Sequence, residues 1–465
     1  MKRIASVVLL LIATSSSAQQ LLPQALSCGR TGDAGGIGGG TDLTRVTVDT
    51  ISFPTAVCNG ATPAVFYVAP YTREEDRNKW VIFLQGGGTC RNGELCAQRW
   101  CSVDTHFGMD KMSSSETKPS IRGAGILSPA ASNNFGTWNR VLVYYCSSDT
   151  WAGTKTSVAM ATAGSRQVNY MIHFKGHYIV DAVIDTLRRT IPRRRRPVSR
   201  TDEAHAEALS ALAPLPDLDE ATAVIFGGSS GGGGGVRNNV DRVNAKLKAA
   251  NVHCQSGDCP LDFRAVIDAT YGPAMESLDW TQTVMCAADP IGCSFDTFME
   301  VEWNTALLGF WGAETDESCI AYHSALDPGS EWICGTDNHL VPNHITTPFF
   351  LRQDLRDSNV SGNFAEARFG TVDDYGRLTH EELQSLPRIQ ATAEETVSEV
   401  PGVFGPQCGD HEALARNESY FAVKVTGADG QAYSFNDLLG NWWRRSGTTF
   451  AVREFLPGRF APECP

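Results

Sequence analysis

The stretch VIFGGSSGGGGGVRNNVDRV, residues 224–243, constrains the fold more than any other part of the chain. The run 221–226 (ATAVIF) carries almost no polar alternation, so both its faces must be buried, as in a strand inside a parallel sheet. Glycines follow at once, and 236–249 then has the apolar spacing of a helix. A tight turn between a buried strand and a helix needs small residues, because larger ones would strike the neighbouring strand and helix. Two serines sit in that turn. Three more apolar runs end in polar residues: 80–85 (WVIFLQ) before GGG, 140–145 (RVLVYY) before CSSD, and 348–351 (PFFL) before RQD. Segment 168–187 has helical apolar spacing and ends in Arg188 and Arg189. Apolar strands alternating with helices, with polar chemistry at the strand ends, predict an α/β fold with a mainly parallel sheet.

The first twenty residues, MKRIASVVLLLIATSSSAQQ, have the parts of a Sec-type signal peptide over 1–18. Lys2 and Arg3 give the positive start, 4–13 is mostly apolar, and Ser16, Ser17 and Ala18 offer a cleavage site before Gln19. No later apolar run reaches the roughly 18 residues that a membrane-spanning helix needs. The mature chain is therefore expected to be secreted, extracellular or periplasmic, with no membrane span. Fourteen cysteines fit an oxidising compartment and allow up to seven disulfides. No CxxC pair occurs, which disfavours zinc. The close pairs Cys90/Cys96, Cys254/Cys259, Cys286/Cys293 and Cys319/Cys334 could each close a short loop, but spacing alone leaves the connectivity open. With 39 basic and 52 acidic residues the formal charge is 39 − 52 = −13, which speaks against a nucleic-acid partner. With 42% apolar and 20% charged residues, the composition is that of a globular chain.

No linker divides the sequence. The expected layout is an irregular segment over 19–50, rich in glycine (GDAGGIGGGTD), then one α/β domain over 51–465. Within it, 192–220 (PRRRRP onward) reads as an inserted loop whose arginines 193–196 are solvated. Residues 270–345, with many aromatics and four cysteines, could form a cap. A monomer is expected.

The serine turn fits GxSxG in two frames, with Ser230 inside 228–232 or Ser229 inside 227–231. After a strand and before a helix, this pattern is the nucleophile elbow of α/β-hydrolases. The helix N-terminus adds N–H dipoles beside any anion formed there. A phosphate-binding P-loop would need GK[ST], which is missing. A serine nucleophile needs a base and an acid that orients the base, in the chain order Ser, Asp/Glu, His. Position alone does not choose among His253, His323, His339, His344, His380 and His411. Glycines after 80–85, in LQGGGT, resemble the esterase loop that donates backbone N–H groups to an oxyanion.

Five blocks in order resemble the pectin acetylesterase/Notum family of secreted carboxylesterases. They are WVIFLQGGGTCRNGELCAQR, VLVYYCSSDTWAG, GSSGGGGGVRNNVDRV, TPFFLRQDLRD and FGPQCGDHEAL, and they spread over roughly residues 50–464. The resemblance implies an α/β-hydrolase fold with nucleophile Ser230, acid Asp357 and base His411, and with Asp354 as a reserve acid. It implies oxyanion donors at Gly87, Gly88 and Gly231, disulfides such as Cys58–Cys146, Cys90–Cys96 and Cys319–Cys334, and no cofactor. The implied reaction is hydrolysis of an O-acyl ester, with acetyl on a polysaccharide such as pectin as the family default. Lipase-like, protein-deacylating and polyester-hydrolysing esterases are the alternatives, and a non-catalytic carbohydrate-binding protein is the rival from another class. The chain departs from the family at Thr89, which replaces the Trp of plant pectin acetylesterases, at Gly88, where Notum has Trp, at Gly231, where alanine is usual, and around Trp332, where Notum's paired Phe is missing.

Two further patterns carry less. Asp337, His339 and His344 are close in sequence, but satisfied loop histidines are the favoured reading and no metal is expected. Residues 371–382 imitate an EF-hand loop with poor ligands at Thr371 and Tyr375. They read instead as a turn before a helix starting near Thr379, capped by Thr379 and Glu382.

Overall fold

A computed structural model describes residues 20–26, 28, 39–101, 108–163, 165–188, 210–255, 259–276, 278–288, 293–392, 400–461 and 464. Residues 1–18, read above as a signal peptide, and arginines 193–196 lie outside the described residues. The centre is a ten-stranded sheet. In chain order its strands are β1 (Gly39–Thr47), β2 (Val65–Ala69), β3 (Lys79–Leu84), β4 (Ser120–Ile121), β5 (Asn139–Val143), β6 (Ala223–Ser229), β7 (Asp262–Asp268), β8 (Phe349–Arg352), β9 (Gly402–Gly405) and β10 (Ala451–Arg453). Their spatial order is β10-β9-β8-β7-β6-β3-β5-β2-β1-β4. From β5 across to β10 every pairing is parallel. β2, β1 and β4 close the other edge antiparallel. The continuous apolar runs are the inner strands, with helices covering the sheet. This is the α/β-hydrolase architecture expected.

Helices that matter below are α1 (Gly93–Cys101), α2 (Gly176–Leu187), α3 (Gly231–Ala250), α4 (Glu317–Leu326), α5 (Asp337–Asn343), α6 (Val372–Thr392) and α7 (Phe435–Arg444). The main core gathers Trp80, Ile82, Phe226, Val266, Phe350 and their neighbours on both sides of the sheet. Between 280 and 343 short helices hold two small apolar clusters of their own, one around Trp280 and Phe295 and one around Leu340.

Three expectations need correction. First, 19–50 is not irregular throughout. Gln20–Leu21 pairs with Tyr170 and Met171, and β1 joins the main sheet with Leu43 and Val46 buried. The β-branched residues of TDLTRVTV outweigh the glycines before them. Second, 168–187 is not one helix. Arg166–His173 is a strand hairpinned to Thr156–Ala163, and α2 begins only at Gly176. Tyr170 and Ile172 alternate inward, a period-two signal hidden in the helical spacing. Third, α6 starts at Val372, not near Thr379. Thr371 and Asp374 bond reciprocally at its start, a capping box eight residues earlier than expected. Gly376 lies inside the helix, where a Cβ would press on the Leu355 carbonyl.

All seven disulfides are present: Cys28–Cys101, Cys58–Cys146, Cys90–Cys96, Cys254–Cys259, Cys286–Cys293, Cys319–Cys334 and Cys408–Cys464. The three implied by the family resemblance and the four close pairs are among them.

Candidate active site

β6 delivers the serine turn to the end of the sheet. Ser229 is its last residue, and Ser230 stands between it and α3 with φ 55° and ψ −126°. Positive φ costs a non-glycine residue free energy and persists only where neighbours enforce it. Here the Ser230 N–H donates to the Asp268 carbonyl at 2.8 Å and the Ser230 carbonyl accepts from Gly234 N at 3.0 Å. Ser230 Oγ lies 2.7 Å from His411 Nε2. His411 Nδ1 lies 2.9 Å from both oxygens of Asp357. Asp357 is fully buried and accepts further bonds from the Asn359 and Val360 N–H groups and from Gln353 Nε2. Three residues 54 to 181 positions apart thus form one hydrogen-bonded chain.

Burial alone would disfavour a charged His411. Its hydrogen bond to Asp357, the charge of Asp357 and those of Glu412 and Asp268 outweigh that and hold its pKa above the ordinary histidine value. The ring is a stronger base than a free imidazole, while its other nitrogen faces the serine.

The two rivals point elsewhere. Ser229 is buried and its Oγ donates to Asp268 Oδ2 at 2.5 Å, away from His411. Asp354 pairs with Arg352, and burial pushes its carboxyl well above the usual carboxylate range.

The loop after β3 lies beside the serine. A Cβ on Gly86 would come 2.9 Å from the Ser230 Cβ. Gly87 and Gly88 have φ 152° and 65°, conformations that side chains rarely adopt. Gln85 ties the loop to the end of β5, accepting from Tyr145 N through Oε1 and from Trp151 Nε1 through its carbonyl, each at 3.1 Å. Gly231, the residue after Ser230, packs against the Tyr145 ring. Of the three glycines expected as oxyanion donors, Gly231 directly follows Ser230, and Gly87 faces the same Tyr145 ring.

A family comparison follows from this geometry. The pectinacetylesterase family profile matches residues 40–191. The palmitoleoyl-protein carboxylesterase notum2 of Xenopus laevis is 27% identical over 372 residues, 79% of this chain and 62% of that protein. Palmitoleoyl-protein carboxylesterase NOTUM of Homo sapiens is 28% identical over 381 residues, 80% of this chain and 61% of its own length. The chain is thus similar to a pectinacetylesterase profile over residues 40–191 and to palmitoleoyl-protein carboxylesterases over most of its length. It spans about three fifths of the length of these curated relatives. The inactive palmitoleoyl-protein carboxylesterase notum1b of Danio rerio is also similar, 38% identical over 99 residues, 21% of this chain and 66% of that protein. Likeness to this family therefore does not by itself imply turnover, and activity must be argued from the site.

Several residues around the site escaped the sequence reading. Asp268, at the end of β7, accepts from Ser229 Oγ, from Ala413 N at 2.9 Å and from Leu414 N at 2.8 Å, and pairs with Arg352. One buried carboxylate thus fixes both the serine turn and the stretch just after His411. Its only trace in the sequence is an acid ending an apolar strand. The CSSDTWAG block is wired in the same manner. Ser148, Thr150 and Trp151 all have positive φ, and buried Asp149 accepts from Ser147 Oγ, Trp151 N and Gly176 N. Burial pushes the Asp149 carboxyl up to about 6 against those hydrogen bonds. Asn238 and Asn239 of α3 donate to the Thr150 and Trp151 carbonyls, so this loop props the helix behind the serine. Lys111 is buried beside Gly87, and desolvation lowers its pKa to about 8 against the pull of Asp110 and Glu412. No sequence signal marks it.

Proposed function

We propose that the protein is an exported serine carboxylesterase that hydrolyses O-acyl esters, with short acyl groups, acetyl foremost, on a polysaccharide such as pectin as the substrate class. The observation that carries this reading is the unbroken hydrogen-bonded chain Ser230–His411–Asp357. In the proposed mechanism His411 Nε2 takes the Ser230 proton as Oγ attacks the ester carbonyl carbon. Asp357 holds the imidazole in place and stabilises its charged form. The N–H groups of Gly87, Gly88 and Gly231 receive the carbonyl oxygen as it becomes an oxyanion. Collapse expels the alcohol, which takes the proton from His411. A water molecule, deprotonated by the same imidazole, then attacks the acyl-enzyme, and the acid leaves as Ser230 regains its proton. Asp268 and Gln353 act as positioning residues, one on the serine turn and His411 loop and the other on Asp357.

Export is part of the proposal. The signal-like start and seven disulfides agree with an oxidising compartment, and among the described residues no helix is long and apolar enough to cross a membrane. A second reading, a long-chain protein-deacylating esterase, is favoured by the palmitoleoyl-protein carboxylesterases among the relatives.

The test is hydrolysis of p-nitrophenyl esters from acetate to palmitate, by wild type and Ser230→Ala side by side. Preference for acetate, with turnover down at least about 10³-fold in the variant, is expected. Preference for long chains would favour the second reading. Turnover unaffected by Ser230→Ala would sink the mechanism. Polysaccharide affinity without any Ser230-dependent turnover would point to a carbohydrate-binding protein.

A further inference from the structure

Three histidines that the proposed reaction does not use converge on one point. His323 lies on α4, His339 on α5, and His344 directly follows α5. The Nε2 atoms of His323 and His339 are 2.9 Å apart. The His344 ring stands against both, its centroid 5.8 Å from that of His323 and 5.2 Å from that of His339. One potential ligand atom from each histidine, and the Cys319 sulfur, lie within 4.8 Å of one another. Cys319 is bonded to Cys334, so its sulfur is no thiolate and the donors are three imidazoles. A tetrahedral ion with metal–nitrogen bonds of 2.0–2.1 Å holds its ligand nitrogens about 3.3 Å apart, close to this spacing.

The surroundings aim and brace these rings. Ser330 Oγ lies 3.3 Å from His323 Nδ1, which leaves Nε2 turned toward the cluster. The Cys319–Cys334 disulfide joins α4 to the segment just before α5. α5 and the residues after it are fixed to α3 from both sides. Arg237 pairs with Asp337 at 2.7 Å, and Asp241 accepts from Thr346 N and Thr347 N. A hydrogen bond between two neutral imidazoles would account for one pair of rings. It gives no reason for the third.

We propose that His323, His339 and His344 form a binding site for a divalent transition-metal ion of the zinc class, with the fourth position open to solvent. Imidazole donors suit zinc, copper or nickel and disfavour calcium or magnesium. The ion would clamp α4 and α5 against the helix that follows Ser230. This proposal does not depend on the esterase reading.

The test uses the exported, fully oxidised protein without a histidine tag. It is stripped with EDTA and titrated with zinc chloride by calorimetry, with bound metal counted by mass spectrometry. Wild type is expected to take up a single zinc ion per chain. His339→Gln and His344→Gln should each weaken binding by more than the roughly 10–100-fold that loss of an outer-shell partner costs, and Ser330→Ala should fall within that range. EDTA should lower the melting temperature of wild type but not that of His344→Gln. If His339→Gln fails to fold by near-ultraviolet circular dichroism, His344→Gln alone carries the comparison, since it alters a half-buried residue outside the helix. Absence of zinc uptake by wild type at micromolar metal would overturn the proposal. So would uptake by both variants equal to that of wild type.

Discussion

At Ser230 the backbone holds φ 55° and ψ −126° because its N–H is bonded to Asp268 and its carbonyl to Gly234. One residue earlier, Ser229 spends its hydroxyl on the Asp268 carboxylate. The neighbouring serines should therefore respond differently to mutation. Ser229→Ala removes one buried hydrogen bond to a charged group, so it should cost about 1.5–3 kcal/mol in denaturant unfolding. It should change kcat on a p-nitrophenyl ester by less than about tenfold, since Ser229 does not touch His411. Asp357→Asn should leave the protein folded and lower kcat by about 10⁴-fold, because the amide no longer holds the reactive tautomer of His411. The pH profile gives a further check. The base must be neutral, and His411 has its pKa raised above 6.5. The acid limb of kcat/KM should therefore fall above pH 6.5, with activity rising as pH increases through it. The His411–Asp357 pair acts on stability with the opposite sign. It stabilises the fold most at pH below 6.5 and loses that contribution as pH rises through the raised pKa.

Across the elements, α3 shows how close packing can override propensity. Its first turn is Gly231–Gly235, a sequence that disfavours a helix by roughly 1 kcal/mol per residue relative to alanine. Those glycines let the backbone touch its neighbours. A Cβ on Gly232 would collide with the Leu84 carbonyl, and one on Gly233 would come 2.6 Å from the Asp268 carbonyl. Gly234 is different, since its Cβ would meet Thr150 at an ordinary 3.5 Å. Gly234→Ala is therefore expected to stabilise by up to about 1 kcal/mol. Gly232→Ala should destabilise by roughly 1–3 kcal/mol or more. Both are read by thermal and denaturant unfolding, and equal effects would contradict this packing. The same elements show what the sequence can carry. Buried parallel strands were legible because runs such as WVIFLQ have no polar face. The hairpin at 156–173 was not, because Val168–Ile172 satisfies helical and strand periods alike. β1 was hidden by the glycines before it. The capping box of α6 was overlooked because Asp374, rather than Glu or Gln, occupies its third position.

Over the whole molecule, the residues closest to the reaction could be read early, and those that hold them could not. GxSxG marks the serine turn in two frames, and Ser230, His411 and Asp357 were singled out only through family blocks, since two serines share the turn and six histidines follow it. Asp268 and Lys111 are defined by burial and by partners far away in sequence, which no local pattern encodes, and Gln353 by a buried bond to Asp357 four residues on. His323 is the same kind of case, joining His339 and His344 only because two helices meet. The disulfides extend this logic to the chain's end. Cys408–Cys464 closes a 56-residue separation and pins the segment leading into His411. Cys254–Cys259 closes only five. Cross-links around longer loops restrict the unfolded chain more. Replacing both cysteines by alanine should therefore cost more at 408/464, within about 2–5 kcal/mol, than at 254/259. It should also lower kcat there while leaving kcat unchanged at 254/259.

The central claim is that Ser230, activated by His411, is the nucleophile. The most direct measurement is covalent trapping with a fluorophosphonate, followed by intact mass and peptide mapping. The account predicts one adduct per chain, on Ser230, absent in Ser230→Ala and formed far more slowly in His411→Ala. An adduct on Ser229, or labelling that is indifferent to His411, would contradict it.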